Sequence, residues 1–106
     1  MRGLVSGDYQ GSCCNCHLSS RFTPRTSERD YLYLYEGSGC SSHVGRVGRQ
    51  QRLSLGRGCL YSRGTATHEL MHAAGFWHEQ ARADRDAYVD VHLDNVLPGY
   101  EFAFDK

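Results

Sequence analysis

The chain has 106 residues, room for one compact domain and too few for two ordinary ones. Its 12 basic and 12 acidic residues balance to zero net charge, which leaves no field to draw in nucleic acid or an anionic membrane surface. No apolar run approaches the roughly 20 residues that span a bilayer, and residues 1–10 lack the apolar stretch of a secretory signal.

Residues 1–20 are rich in Cys, Gly and Ser, show no period and are left unassigned. Within them Cys13, Cys14 and Cys16 cluster beside His17. A Cys-x-Cys-His run is a weak metal signal, and structural or unpaired cysteines are the favoured reading. Residues 23–27, Thr-Pro-Arg-Thr-Ser, read as a turn entering a strand. Tyr31-Leu32-Tyr33-Leu34-Tyr35 is apolar on both faces and predicts a strand near the middle of a sheet, ended by Gly37-Ser38-Gly39. Cys40 and Cys59 bracket a loop and a strand, a spacing that suits a disulfide in an oxidising compartment. Between them, residues 44–48 carry two glycines, the mark of a bent edge strand or of a close backbone approach. Arg52-Leu53-Ser54-Leu55 alternates as a half-buried strand does, and Gly56 and Gly58 end it. A helix is expected from near Gly64 or Thr65, capped by a small hydroxyl residue. Its apolar stripe is Ala66, Leu70, Ala73 and Ala74, and Gly75 is its natural stop. From there to Leu93 the chain reads as extended or irregular, with a late turn at Pro98-Gly99. Strands first and a helix later, without regular alternation, predict an α+β fold: a mixed twisted sheet with packed helices.

The run His68-Glu69-Leu70-Met71-His72 carries the chemistry. On a helix, residues four apart lie one turn apart, so two imidazoles can grip one ion at about 2.0–2.1 Å. The wheel puts His68 and His72 nearly opposite the apolar stripe, with Glu69 off the flank of the histidine face. Gly75 lets the chain reverse and return His78 as a third ligand. Three protein ligands leave a coordination position open, the arrangement of a catalytic zinc site. Glu69 is then the general base that takes a proton from the attacking water. A helical histidine pair alone is more often packed or solvated. The full set, with Gly75 and His78, is expected by chance only about once in ten thousand chains of this composition.

These residues, continued through Gly75-Phe76-Trp77-His78-Glu79, Arg82, Asp84, Arg85 and Asp86, resemble the signature of the astacins, secreted metzincin endopeptidases. The likeness extends upstream through residues 21–25, Asp30-Tyr31, Gly37-Ser38-Gly39-Cys40, Val44-Gly45-Arg46, Gly48, Gln51, Ser54-Leu55-Gly56 and Cys59. Downstream it takes in Asn95-Val96, Pro98-Gly99 and Phe104. The resemblance implies a partial astacin-like peptidase domain over residues 21–106, an incomplete zincin-like N-terminal subdomain with the active-site helix. It implies one catalytic Zn2+ held by His68, His72 and His78, a Cys40–Cys59 disulfide, and a secreted protein. It also implies that residues 44–48 form the upper rim of a cleft that pairs with an extended peptide or protein substrate. Glu79 resembles the residue that anchors the mature amino terminus, and Arg82, Asp84, Arg85 and Asp86 a structural charge network. The family's Met-containing turn and metal-assisting tyrosine have no counterpart before Lys106. Ala66, Thr67 and Ala74 stand where the family carries branched aliphatics, and Arg49 where it commonly has glycine.

Hydrolysis of peptide bonds is thus the leading expectation. The alternatives are a truncated fragment that binds zinc without turnover, and a disulfide-stapled secreted binding module whose histidines are incidental.

Overall fold

The computed structural model describes residues 21–106 and, for the backbone alone, the strand Gly3–Ser6. Cys13, Cys14, Cys16 and His17 lie outside the described residues. The chain divides into two units, Met1–Phe76 and Trp77–Lys106.

Among the described residues, the first unit has a five-stranded mixed sheet and one helix. In chain order the strands are β1 (Gly3–Ser6), β2 (Phe22–Pro24), β3 (Tyr31–Tyr35), β4 (Cys40–Ser42) and β5 (Gln50–Leu55), followed by α1 (Arg63–Ala73). They lie side by side as β2-β1-β3-β5-β4. Only β3 and β5 run parallel, with Leu32 opposite Gln51 and Leu34 opposite Leu53. The aromatic run therefore does form the central strand, as its lack of a polar face predicts.

Alternation sorts the two faces. Leu32, Leu34, Gln51, Leu53 and Leu55 share one, and Leu32 and Leu53 join Ala73 of α1 in the core, with Phe22, Leu34, Leu55 and Leu70 packed around them. The other face carries Tyr31, Tyr33 and Tyr35, which are half-buried. Arginines cover it: Arg25 lies 3.9 Å over the Tyr31 ring and Arg52 4.9 Å over that of Tyr35. Such stacking lets long cationic side chains shield aromatic surface while their heads stay wet.

A disulfide joins Cys40 at the start of β4 to Cys59 beyond β5, and Cys59 is fully buried. Closing a loop with a sequence separation of 19 stabilises the fold by about 3 kcal/mol through the unfolded state. Gly56 lies where the chain crosses the 37–39 turn. A Cβ there would meet the Gly37 carbonyl oxygen at 2.3 Å, so only glycine fits.

The unit Trp77–Lys106 is built from four short 3₁₀ helices, Glu79–Ala81, Arg85–Ala87, Leu93–Asn95 and Glu101–Phe104. The expected charge network is present. Arg82 bridges Glu79 and Asp84 at 2.7 Å each, and Asp86 accepts from Arg85 and Lys106. Arg85 also donates from its guanidinium to the carbonyls of Gln80 and Phe104, the latter 19 residues along the chain, and so ties these turns together. Among the described residues, no helix is long and apolar enough to cross a membrane.

Candidate metal centre

Ser62 caps α1, its hydroxyl accepting the Gly64 N–H at 3.2 Å, and the helix starts at Arg63, one residue ahead of the earliest expected start. At the other end Gly75 takes φ +107 and donates to the His72 carbonyl at 2.8 Å, while Phe76 donates to Met71 at 3.1 Å. This pair of bonds is the Schellman closure, which satisfies carbonyls that the helix leaves open and turns the chain sharply. Nothing lies within 4 Å of a Cβ built at Gly75, so glycine is required there by backbone conformation and not by crowding.

The buried side of α1 differs from the apolar stripe. Glu69, His72 and Ala73 are buried, whereas Ala66, Leu70 and Ala74 are only half-buried. At about 100° per residue, the buried face is turned roughly a quarter-turn toward the histidine side. The cause is at the C-terminal end, where the Schellman turn and the chain around Gly45 close over His72.

The turn also places His78, which is extended at φ −63 and ψ 134 and leads the Glu79–Ala81 turn by accepting the Ala81 N–H. Along residues 68–78, one ligand nitrogen from each of His68, His72 and His78 lies within 4.8 Å of the others. A point then exists within about 2.8 Å of all three, since 4.8/√3 bounds that distance, and side-chain rotations of under about 1 Å bring it to zinc–nitrogen range. The His68 and His72 rings meet edge to face with centroids 4.5 Å apart. His72 Nδ1 is 2.7 Å from the Phe76 carbonyl oxygen. A carbonyl only accepts, so Nδ1 carries the proton and Nε2 presents its lone pair, the tautomer a metal ligand needs. The donor set therefore fits zinc. Glu69, between the two helical histidines, is 6% exposed.

Residues 43–49 run beside this end of the helix without regular structure. Of the two expectations for the glycines here, close approach is the one realised. Gly45, at φ +73, donates its N–H to the His72 carbonyl at 2.8 Å, and its Cβ direction points at the Gly75 Cα, 4.0 Å away. Arg49 takes φ +54, a left-handed conformation that costs a residue with a Cβ about 1–2 kcal/mol. Asp30 holds it there. One carboxylate oxygen accepts the Arg49 N–H at 2.6 Å, and the other accepts Arg46 Nη2 at 2.6 Å and Nε at 3.0 Å. Asp30 and Gln51 organise this segment, and sequence reasoning gave neither a role. The available signal was Gln51 itself, a polar residue in phase with Leu53 and Leu55 on the core face of a strand.

The Asp30 carboxyl is held below its ordinary value, first by the Arg46 hydrogen bond and then by the Arg49 N–H. A folded-state value below the unfolded one means that this contribution is complete above the ordinary carboxylate range and is lost as pH falls through the lowered value. Hydrogen exchange read as protection factors should show the Arg49 amide loosening below about pH 4. In Asp30→Asn the acid step should vanish. An acid step unchanged in Asp30→Asn removes the assignment.

Residues 9–106 match the sequence model of the Astacin peptidase family. The chain belongs to the astacin family. Among astacin relatives, it is 51% identical over 86 residues to zinc metalloproteinase nas-6 of Caenorhabditis elegans, covering 81% of this chain and 25% of that protein. It is 48% identical over 114 residues to high choriolytic enzyme 1 of Oryzias latipes, covering 97% of this chain and 42% of that protein. The solved structure of that hatching enzyme zinc-protease superposes with a TM-score of 0.72 at 44% identity, over 79% of this chain and 42% of that chain. This astacin sequence thus spans between a quarter and about two-fifths of the length of the relatives named.

Proposed function

We propose that the chain carries the catalytic zinc centre of an endopeptidase, with His68, His72 and His78 as metal ligands and Glu69 as general base. The observation that carries this reading is the convergence of three imidazole nitrogens, two of them from α1, with the buried Glu69 lying between those two in the helix sequence. Membership of the astacin family and the names of its zinc metalloproteinase relatives support it.

When bound, zinc supplies Lewis-acid polarisation of the peptide carbonyl and lowers the pKa of a water toward about 7. The chain's own residues do the rest. His72, oriented by Phe76, turns Nε2 to the ion. A Glu69 carboxylate oxygen takes one proton from the water as its oxygen attacks the carbonyl carbon, and delivers it to the amide nitrogen as the C–N bond breaks. Burial of Glu69 limits its rotamers and keeps bulk water from competing for that proton. The rim at residues 44–48 receives the substrate as an extended peptide, pairing main chain to main chain. The Cys40–Cys59 bond suits a secreted protein, because such bonds persist in oxidising compartments.

The test is metal removal and return. Oxidised, refolded chain is stripped with a chelator and titrated with zinc in competition with a chromophoric chelator, then assayed on a denatured protein. One zinc per chain is expected, with cleavage lost on stripping and restored by zinc. One bound zinc without turnover leaves metal binding alone. An intact fold that ignores zinc, or cleavage that survives chelation, overturns the reading.

A further inference from the structure

We propose that Gln51 is a positioning residue for the metal-holding helix, acting through Gly45 on the main chain of His72. The inference rests on the reading of His72 as a metal ligand.

Gln51 is 4% exposed, on β5 in phase with Leu53, where its neighbours are apolar. A buried carboxamide must find partners for both of its ends. Its Oε1 accepts the Val47 N–H at 3.0 Å, and its Nε2 donates to the Gly45 carbonyl at 2.8 Å, with a longer 3.5 Å approach to the His43 carbonyl. The partners fix the orientation of the amide, since only the nitrogen can face two carbonyls. Residues 43–47 have no strand ladder to satisfy these main-chain groups, and one side chain takes the place of a neighbouring strand.

Gly45 carries the effect onward. Its carbonyl is held by Gln51, and its N–H donates at 2.8 Å to the His72 carbonyl, which also accepts from Gly75 at 2.8 Å. The same His72 directs its ring by the bond from Nδ1 to Phe76. Fixing the Gly45 peptides therefore fixes the last turn of α1, from which the His72 imidazole and the Gly75 reversal both spring. Residues supporting a ligand from outside the coordination sphere typically change metal affinity about 10–100-fold, and Gln51, acting through a main-chain relay, belongs at about tenfold.

Two variants test this. Gln51→Met keeps length and removes both hydrogen-bonding ends. Gln51→Glu keeps the acceptor for Val47 and sets a second acceptor against the Gly45 carbonyl. Arg52→Gln, next in the strand and on the opposite face, is the control. Three quantities are read: hydrogen exchange of the Gly45 and Gly75 amides without metal, zinc affinity by competition, and the visible spectrum of the Co2+-loaded chain. Both Gln51 variants should lose about tenfold in protection at Gly45 and Gly75 and about tenfold in zinc affinity, with shifted Co2+ bands, while Arg52→Gln matches wild type. An unprotected Gly45 amide in the wild-type chain overturns the proposal without any variant. So do Gln51 variants whose protection, affinity and Co2+ spectrum match wild type. A wild-type chain that binds no zinc removes the metal reading instead, and the metal-free exchange data still decide whether Gln51 orders the end of α1.

Discussion

Glu69→Gln should lower peptide-bond cleavage by about 10²–10⁴-fold, the range a positioned general base contributes, and should leave zinc bound at one equivalent. The substitution is close to isosteric, so the packing of a side chain only 6% exposed is retained. What disappears is the ability to accept a proton, because a carboxamide at neutral pH has no basic oxygen. The proper comparison is kcat/KM at saturating zinc, alongside a zinc titration of the same sample. Loss of cleavage with loss of metal would mean that Glu69 supports the site structurally. Cleavage within a few-fold of wild type would remove it from the mechanism.

The second large effect is on the metal itself. His72→Ala should weaken zinc binding by more than about 100-fold, beyond what loss of an outer partner alone produces. His72 is the buried member of the trio, and a main-chain carbonyl sets its tautomer, so its loss removes a pre-aligned donor. The variant keeps the His72 main-chain carbonyl, and with it the bonds from Gly75 and Gly45 that close the helix. Helical circular dichroism should therefore persist while competition titration shows the metal gone. His92→Ala, which alters a histidine outside the cluster, should bind zinc as wild type does. Affinity within tenfold of wild type in His72→Ala would take that residue out of the ligand set.

Much of the site was legible because its determinants are local. A hydroxyl cap, a four-residue histidine spacing and a glycine stop are read from a dozen consecutive residues, and the helix Arg63–Ala73 with its Gly75 closure follows them closely. The strands β3 and β5 were legible for the same reason. Their parallel pairing was not, since it joins residues 19 apart by a register that no local pattern encodes. Nor was β4, too short at Cys40–Ser42 to show a period, or the pairing of Gly3–Ser6 with both β2 and β3. The wheel placed the histidines opposite the packing face because it weighs only apolarity. Glu69 and His72 are buried nonetheless, His72 under polar main-chain contacts from Gly45, Gly75 and Phe76. Asp30 and Gln51 act on a loop through hydrogen bonds to main-chain groups, and a polar side chain in a sequence does not announce which backbone it will meet.

The Cys40–Cys59 bond closes a covalent ring around β5, Gln51 and the exposed loop residues Arg46, Val47 and Arg49. An irregular, solvent-facing loop is where proteolytic nicking begins. A single cut at any peptide bond between 40 and 59 leaves both pieces joined through sulfur, so the nicked chain migrates as one species until it is reduced. Because β4 and β5 are paired to each other on either side of the loop, such a cut loosens residues 43–49 while both severed ends stay tethered.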